Sequence, residues 1–559
     1  MKASRPSLKS ADQSGSTASS RRAANEHPGR FGAGQQEDLK VSIANQLESD
    51  FGTLSELIHS HAMQQPAHPA LTLGGVMLDY AALDERLDQM AVSLQREGMG
   101  IGDVIAIAAT TSLEYAVAFL GSLRAGVAVA PLAPDMTPAN LVRMLADSNA
   151  KLLFLDNEVA GSLQPFADEV RARKIALDDS SAGTRWSTWL AAPGARPLPA
   201  AVQPDTPFNI IYSSGTMGAP KGIVLPHSFR WAQFKLFQGL GYGPDSVVMV
   251  TMPLYSNMTL SGFLPPLSMG CSILLMSKFD AGRYLELAEK HRVTHSMMVP
   301  VQFQRIMARA DFQQFDLSSF RVKSCGSAHF PAALKADVLA RWPGDLVEYY
   351  GMTEGGGVTV LDARRHADKL HTVGHPVAGH DMRVIDPQGR ELPRGSTGEI
   401  VARSPTMMTG YHNLPEKTRE VEWFDLSAQR FIRTGDVGYF DEDGFLVLLD
   451  RTKDMIISGG FNIFPSDLEG VLRGHPDVVE AAVTGVPSQR WGETPVAFVI
   501  RRSGSGLTAA QLMDWSQSRL NKAQRLAAVD FVDDLPRNGI GKVLKRTLRD
   551  AWLASGRSL

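Results

Sequence analysis

Short apolar stretches alternate with segments of helical periodicity over much of the first 350 residues of this 559-residue chain. Between residues 104 and 155 the pattern predicts strand, helix, strand, helix and strand, and a similar alternation returns between residues 247 and 350. Such alternation is typical of parallel sheets covered by helices on both faces. We therefore expect an α/β protein whose large N-terminal domain contains two doubly wound parallel-sheet layers.

The sequence changes character after Pro376, where short strand-like segments are separated by Arg-Gly and Asp-Gly turns. This pattern predicts a β-rich lobe that extends to about Asp450, followed by a smaller α/β unit. Residues 1–48 are rich in Ser, Gly and Gln and carry few large apolar side chains, which predicts a disordered tail. We expect three parts: a tail at 1–48, an N-terminal domain at 49–450 and a C-terminal domain at 451–559.

Composition excludes several classes of protein. The formal net charge is -3, so there is no basic excess and nucleic acid is not expected as a partner. Cys271 and Cys325 form neither a Cys-x-x-Cys pair nor a disulfide framework, which favours a reducing, cytoplasmic compartment. The longest uncharged run, residues 246–277, is interrupted by prolines, so we expect buried core there rather than an integral membrane span.

An apolar strand runs into a Ser/Thr/Gly-rich loop that closes on Lys221. Residues 210–222 read Ile-Ile-Tyr-Ser-Ser-Gly-Thr-Met-Gly-Ala-Pro-Lys-Gly. Such a loop offers backbone N–H groups, hydroxyl donors and one positive charge to phosphate oxygens. A Walker A loop would need Gly before the lysine and Ser or Thr after it, whereas Pro220 and Gly222 stand there. A plain polar turn remains the alternative. The candidate phosphate-binding residues are Ser213, Ser214, Gly215, Thr216, Gly218 and Lys221.

This loop resembles the signature loop of the adenylate-forming superfamily, which includes acyl-CoA synthetases, adenylation domains and firefly luciferases. Four further segments match that family in the expected order. The first, residues 348–354, reads Glu-Tyr-Tyr-Gly-Met-Thr-Glu and is similar to the family's aromatic-Gly-x-Thr-Glu motif. The resemblance implies that Thr353 contacts the α-phosphate and that Glu354 binds Mg²⁺, for which a carboxylate is a suitable ligand. It also implies that the adenosine pocket is lined by Tyr350, Gly351 and Met352.

The next two segments lie at the end of the β-rich lobe. Residues 433–436, Arg-Thr-Gly-Asp, resemble the ribose-binding turn, which implies that Asp436 accepts hydrogen bonds from the ribose hydroxyls. Residues 450–465 resemble the domain-junction pattern, which implies that Arg451 reaches the ribose or phosphates and that Lys453 is the hinge of a mobile C-terminal domain. By the same resemblance Gly459 and Gly460 line a pantetheine tunnel. A less distinctive match to the adenine-binding segment covers Gly326, Ser327 and Ala328.

The last segment, residues 536–542, reads Pro-Arg-Asn-Gly-Ile-Gly-Lys and resembles the loop that bears the catalytic lysine of adenylation. The resemblance implies that Lys542 stabilises the meeting of a carboxylate with the α-phosphate. It implies a two-step reaction with ATP and Mg²⁺, in which an acyl-adenylate forms and a thiol, expected to be coenzyme A, then takes the acyl group. Loading of a separate carrier protein, a luciferase-like oxygenase and a non-catalytic nucleotide-binding relative remain alternatives.

The substrate-binding residues are less distinctive. In many aryl- and acyl-CoA ligases an aromatic-His pair follows Pro-Leu, whereas here Tyr255 is followed by Ser256. Tyr255 and Asn257 are candidates to line a largely apolar pocket, and Gly356 and Gly357 are expected to leave room in it because they have no side chains. We expect an apolar carboxylic acid, either aromatic or of medium chain length, as the small-molecule substrate. Among members of the superfamily, the sequence most resembles 4-coumarate, aryl and medium-chain acyl-CoA ligases. The sequence does not indicate an oligomeric state.

Overall fold

The fold is described from a computed structural model. It describes residues 46–213, 220–451, 454–458, 461–520, 524–538 and 541–556. Seven of the predicted site residues lie outside these ranges: Ser214, Gly215, Thr216, Gly218, Lys453, Gly459 and Gly460. Residues 1–45 of the predicted tail at 1–48 also lie outside these ranges.

Several helices begin at a short polar side chain that caps them, and their apolar residues recur on one face. Ser112 accepts a hydrogen bond from the backbone N–H of Tyr115, for example, and Thr53 forms a capping box with Glu56. The α-helices are α1 (Leu54–Gln64), α2 (Tyr80–Arg96), α3 (Leu113–Arg124), α4 (Pro138–Ser148), α5 (Asn157–Leu163), α6 (Trp186–Trp189), α7 (His227–Phe237), α8 (Asn257–Ser268), α9 (Ala281–Lys290), α10 (Pro300–Met307), α11 (Ala332–Arg341), α12 (Pro415–Glu420), α13 (Pro465–Arg473), α14 (Ala509–Gln517) and α15 (Lys545–Ala554).

Most strands are short, and those at the centre of the two large sheets are largely buried. They are β1 (Pro69–Leu73), β2 (Val76–Asp79), β3 (Val104–Ala108), β4 (Ala128–Pro131), β5 (Leu152–Leu155), β6 (Arg173–Ala176), β7 (Thr184–Arg185), β8 (Pro207–Ser213), β9 (Lys221–Pro226), β10 (Val247–Val250), β11 (Ser272–Leu275), β12 (His295–Met298), β13 (Val322–Cys325), β14 (Asp345–Tyr350), β15 (Thr359–Asp362), β16 (His375–Pro376), β17 (Asp381–Ile385), β18 (Gly398–Arg403), β19 (Gly410–Tyr411), β20 (Glu422–Phe424), β21 (Arg430–Phe440), β22 (Leu446–Arg451), β23 (Ile456–Ser458), β24 (Phe461–Ile463), β25 (Val478–Ser488), β26 (Gly492–Arg501) and β27 (Ala528–Phe531).

Two large sheets form the N-terminal part of the chain, as the alternating pattern predicted. One has nine strands in the order β16-β15-β14-β13-β12-β10-β11-β1-β2, and the other has eight in the order β19-β9-β8-β4-β3-β5-β6-β7. Their central pairs are parallel, but the edges are antiparallel, at β1/β2, β14/β15, β15/β16, β8/β9 and β9/β19. The α/β class with two parallel-sheet layers is therefore confirmed, and antiparallel strands extend both sheets at these edges.

The main apolar core lies between the two large sheets. Helix α3 is buried along nearly its whole length and contacts β3 and β4 of one sheet and β1 of the other. A helix that is apolar on all sides is stable only when it is enclosed in this way. The uncharged run at residues 246–277 forms β10, α8 and β11 within the same region. In the described part of the chain, no helix combines the length and apolarity that crossing a membrane requires.

Two smaller sheets follow. Strands β17, β18, β20, β21 and β22 form the antiparallel lobe that the Gly-containing turns predicted. Strands β23 to β27 form the sheet of the C-terminal α/β unit, where α13 packs on β25. The backbone N–H of Ser466, in the first turn of α13, donates to Asp450 Oδ2 at 2.9 Å, so the end of β22 contacts the start of this unit.

Candidate active site

Two neighbouring parallel strands, β13 and β14, carry candidate segments at their carboxyl ends. Strand β13 is followed by Gly326, and β14 is followed by Thr353 and Glu354. A Cβ on Gly326 would lie 2.9 Å from the carbonyl oxygen of Tyr349, so glycine allows the two strand ends to approach closely. Because parallel strands end at the same edge of a sheet, the topology brings these segments together, as is usual for ligand sites in such folds.

Glu354 is held by a residue that no motif singled out. The hydroxyl of Tyr411 donates a hydrogen bond to Glu354 Oε1 at 2.9 Å, and the backbone N–H of Met408 donates to the Glu354 carbonyl oxygen at 2.9 Å. Among the described residues, no cluster of three or more His, Cys, Asp or Glu side chains could hold a metal ion. A single carboxylate nevertheless suits Mg²⁺ in a nucleotide site, because phosphates and water complete its coordination shell.

Asp436 and Arg451 are direct neighbours across the antiparallel pair β21/β22. Asp436 is buried and receives two contacts, from Arg451 Nε at 3.0 Å and from the hydroxyl of Tyr350 at 2.7 Å. Burial lowers the pKa of Arg451, but the charges of Asp436, Asp454 and Glu354 outweigh it and raise that pKa. Arg451 therefore lies in the electrostatic field of both the predicted ribose carboxylate and the predicted metal ligand.

Tyr350 is a hydrogen-bond donor in this network. Burial, together with the adjacent carboxylate of Asp436, raises its pKa, so the phenol stays protonated and donates to that carboxylate. The turn before Asp436 is fixed by Thr434, whose hydroxyl donates to the carbonyl oxygen of Ile400 at 2.9 Å and accepts from the Asp436 N–H at 3.1 Å. The carboxylate is thus oriented before any ligand binds.

Lys221 lies at the start of β9, directly after the phosphate-loop candidate. Its Nζ stands 4.8 Å from the centroid of the Tyr411 ring. Ser213 is the last residue of β8 and is the backbone partner of Lys221 in the antiparallel pair. Tyr411 links Lys221 to Glu354, Glu354 interacts electrostatically with Arg451, and Asp436 contacts both Arg451 and Tyr350. Five predicted residues from four separate segments therefore form one connected group: Lys221, Tyr350, Glu354, Asp436 and Arg451.

The glycines after Glu354 serve close packing rather than an open cavity. Gly355 has φ +76°, and a Cβ there would lie 2.0 Å from the carbonyl oxygen of Thr406. A Cβ on Gly356 would lie 2.8 Å from the carbonyl oxygen of Ala402, and one on Gly357 would lie 2.7 Å from the Ala402 Cβ. The space that a side chain would occupy at Gly356 and Gly357 is therefore filled by β18, and the assignment of these two residues to the substrate pocket stays a prediction.

The remaining candidates surround the same edge. Ser327 has φ +73°, and Ser327 and Ala328 are exposed beyond the end of β13. Tyr255 precedes α8, and Asn257 begins it; the side-chain oxygen Oδ1 of Asn257 accepts a 2.8 Å hydrogen bond from Arg230. Gly351 is exposed, whereas Met352 and Thr353 are half-buried. The structure therefore places these residues near the site without giving them a shared contact.

Arg230 is fully buried, and its side chain donates hydrogen bonds to neutral amide oxygens. It donates to Gln233 at 2.9 Å, to Asn209 at 3.2 Å and to Asn257. Burial lowers its pKa to about 9. The side chain of Asn257 is thus fixed by a buried cation.

The loop that ends at Lys542 rests on the large domain. The backbone N–H of Lys542 donates to Asn538 Oδ1 at 2.9 Å, and the Asn538 N–H donates to the Lys542 carbonyl oxygen at 3.0 Å. A Cβ on Gly541 would lie 2.8 Å from Cγ1 of Val301, in the first turn of α10 after β12. The lysine loop therefore reaches the same sheet edge that carries Glu354.

These motifs and this two-part architecture define the class of adenylate-forming enzymes. The AMP-binding enzyme family model matches residues 58–412, and the model of the AMP-binding enzyme C-terminal domain matches residues 467–542. The chain therefore belongs to the AMP-binding enzyme family and is an AMP-forming acid–thiol ligase.

Relatives cover almost the whole chain. Feruloyl-CoA synthase of Amycolatopsis sp is 35% identical over 87% of this chain and 96% of its own. Fatty acid–[acyl-carrier-protein] ligase ScoC of Streptomyces coeruleorubidus is 31% identical over 91% of this chain and 98% of its own. Among solved structures, ATP-bound MatB of Rhodopseudomonas palustris superposes with a TM-score of 0.80 at 30% identity, covering 90% of this chain and all of MatB, and apo MatB with 0.69.

Proposed function

We propose that the protein activates an apolar carboxylic acid, aromatic or medium-chain, with ATP and Mg²⁺ and transfers the acyl group to coenzyme A. The observation that carries the proposal is the convergence at one sheet edge of Glu354, the Asp436–Arg451 pair and the loop that ends at Lys542. A nucleotide needs a carboxylate for its metal, an acceptor for its ribose and cations for its phosphates, and this edge supplies all three.

Each side chain has a role that its environment favours. Asp436, oriented by Tyr350, accepts hydrogen bonds from the ribose hydroxyls, while Arg451 places its charge between the ribose and the phosphates. The phosphate loop from Ser213 to Lys221 and Thr353 bind the phosphate oxygens. Mg²⁺ bound to Glu354 would neutralise charge on the triphosphate as the carboxylate approaches.

The first half-reaction joins two anions. A carboxylate oxygen of the acid attacks the α-phosphorus, the bond to pyrophosphate breaks, and acyl-AMP forms. Lys542 contributes an ammonium near both groups, which stabilises the negative charge that accumulates in the transition state without any proton transfer. In the second half-reaction the thiol of coenzyme A, having lost its proton, attacks the acyl carbonyl carbon and AMP leaves. Gly459 and Gly460 are proposed to line the path of the thiol.

A separate carrier protein is the second candidate acceptor, because ScoC is a relative of comparable similarity. Relatives that use coenzyme A with aromatic acids, such as feruloyl-CoA synthase and 4-coumarate–CoA ligase 2 of Solanum tuberosum, favour coenzyme A and an aromatic substrate. Both Cys271 and Cys325 are buried free thiols, which suits the reducing cytoplasm that we propose as the compartment.

One experiment tests the reaction directly. The purified protein is incubated with ATP, Mg²⁺ and a panel of aromatic and straight-chain acids, and pyrophosphate and AMP release are followed with and without coenzyme A. We expect acid-dependent pyrophosphate release and AMP turnover that requires coenzyme A. Pyrophosphate release without that turnover would favour a carrier protein as the acyl acceptor. No pyrophosphate release with any acid would refute catalysis.

The role of Lys542 has its own test. Lys542→Ala is expected to slow acyl-AMP formation about 100-fold or more, because one preorganised charge contributes about that much to such transition states. It should spare thioester formation from supplied acyl-AMP. Arg546→Ala, four residues further on and 61% exposed at its side chain, is the matched control and should leave both half-reactions unchanged. Equal losses in both half-reactions for Lys542→Ala would contradict the assignment.

A further inference from the structure

Tyr411 connects two segments of the site that are far apart in sequence. It lies on the two-residue strand β19, which pairs with β9 at Ile223, directly after Lys221 and Gly222. Its hydroxyl reaches Glu354, 57 residues away in the sequence, while Lys221 lies over its ring. The side chain is 7% exposed, so it is enclosed between these two neighbours.

The backbone around Tyr411 is fixed on several sides. Its N–H donates to Thr418 Oγ1 at 2.9 Å, and the N–H of the next residue, His412, donates to the Gly222 carbonyl oxygen at 2.7 Å. A Cβ on Gly410 would lie 3.0 Å from Thr418 Oγ1, so α12 packs closely behind the strand. Tyr411 is therefore built into the fold at a defined position, and a shift of its ring would require this strand to move.

The hydrogen bond engages one oxygen of the Glu354 carboxylate. Among the residues that the structure describes, Tyr411 donates the one hydrogen bond that this side chain accepts. A donor on Oε1 fixes the rotation of the carboxylate and leaves Oε2 with lone pairs for a hard cation. Partners of this kind orient metal ligands, and their loss typically weakens metal affinity about 10- to 100-fold.

The ring of Tyr411 contacts Lys221, the residue that ends the candidate phosphate loop. A lysine ammonium within about 6 Å of an aromatic ring centroid is attracted to its face, and Lys221 Nζ stands at 4.8 Å. The ring thus holds the cation that ends the phosphate loop beside the carboxylate that binds the metal. One side chain fixes the relative position of the two groups that meet a metal-bound polyphosphate.

We propose that Tyr411 is a positioning residue, which sets the Glu354 carboxylate for the divalent cation of a metal–nucleotide complex through its hydroxyl and holds Lys221 through its ring. The inference rests on the proposed function, since it assigns the cation to that nucleotide site. On this inference the Tyr411 hydroxyl contributes to nucleotide binding only when the metal is present, whereas the ring contributes with or without the metal.

The two parts can be measured by binding, without turnover. Calorimetry gives the Kd for ATP in EDTA and in saturating Mg²⁺, and electron paramagnetic resonance gives the Kd for Mn²⁺ at the enzyme–ATP complex. Tyr411→Phe keeps the ring, so we expect Mn²⁺ to bind about 10-fold more weakly while metal-free ATP binding is unchanged. Tyr411→Leu should also weaken metal-free ATP binding, because Lys221 loses the ring. Tyr439→Phe, on β21, is the control and should change neither constant.

A double-mutant cycle shows whether Tyr411 acts through Glu354. In the Glu354→Gln background, the added Tyr411→Phe change should have no further effect on the Mn²⁺ constant. An unchanged Mn²⁺ constant in Tyr411→Phe, or equal losses with and without metal, would overturn the inference while leaving the proposed function intact. Failure of the wild-type protein to bind ATP at all would instead refute the proposed function.

Discussion

Gly541 and Val301 are in such close contact that a Cβ on the glycine would stand 2.8 Å from Cγ1 of the valine. Gly541 directly precedes Lys542 and belongs to the C-terminal unit, whereas Val301 lies in α10 of the large domain. The contact therefore fixes how closely the lysine loop can approach the edge that carries Glu354.

Gly541→Val should impair the first half-reaction selectively. The added side chain would collide with Val301 and hold Lys542 away from the α-phosphate, so we expect acyl-AMP formation to fall about 10-fold or more, since even a 1 Å misplacement can be this costly. Gly504→Val is the matched control, because Gly504 has the same φ of +78° but no neighbour within 4 Å of its Cβ position. Similar losses in the two variants would show that backbone strain, not the Val301 contact, is responsible.

Asp436→Asn should weaken ATP binding about 10-fold or more, because a neutral amide accepts weaker hydrogen bonds from the ribose and leaves the Arg451 charge without its partner. The Kd for ATP, measured by calorimetry, is the readout. Asp443→Asn, on the same lobe and 66% exposed at its side chain, should leave that Kd unchanged. An unaltered Kd in Asp436→Asn would remove this residue from the nucleotide site.

Local patterns in the sequence predicted much of the fold. The strand, helix, strand, helix and strand predicted between residues 104 and 155 are observed as β3, α3, β4, α4 and β5, and the second alternation, between residues 247 and 350, contains β10 to β14. Hydrophobic periodicity reports which face is buried, and here it is strong. It does not report the direction of a short edge strand, so the antiparallel edges, such as the pair β1/β2, could not be foreseen.

The site was only partly predictable for a similar reason. Motifs identified Glu354, Asp436 and Arg451, because each lies in a contiguous pattern, and the structure brings them together. Tyr411 was missed because it reaches Glu354 through a long-range contact, and its only signal is a buried aromatic residue in a largely polar stretch. At Gly356 and Gly357 the sequence could not show that β18 fills the space beside them, since the absence of a side chain does not reveal which neighbour packs there.

Gly460→Leu is predicted to act on the second half-reaction alone. The position lies outside the described residues, so the prediction rests on the resemblance of its segment to CoA ligases. A bulky side chain in a narrow tunnel would obstruct the pantetheine arm, raising the KM for coenzyme A about 10-fold or more while acyl-AMP formation stays normal. Gly470→Leu, on α13 with no neighbour within 4 Å of its Cβ position, is the control. Unchanged kinetics with coenzyme A would refute the tunnel assignment.

Buried histidines should make the large domain sensitive to mild acid, and His61 offers the clearest test. Burial is the main cause that lowers its pKa, to about 4, while its hydrogen bond to the Ser268 carbonyl oxygen opposes the shift. The folded state therefore excludes a proton that the unfolded chain binds below about pH 6.5, so stability is present above that pH and is lost as pH falls towards 4. The full shift corresponds to about 3 kcal/mol.

His61→Gln removes the titrating imidazole, so the unfolded variant no longer binds the proton that the folded wild type excludes. We expect the variant to be less stable than the wild type at pH 7, because a well-packed ring is lost, but to lose less stability on acidification, so that the two curves converge towards pH 4.5. Urea unfolding of the large domain, followed by tryptophan fluorescence at pH 7.0, 6.0 and 5.0, measures both slopes. Parallel curves would show that His61 is not held neutral in the folded protein, and the acid sensitivity would then have to come from other buried groups, such as His227 and His295, whose pKa values burial also lowers to about 4.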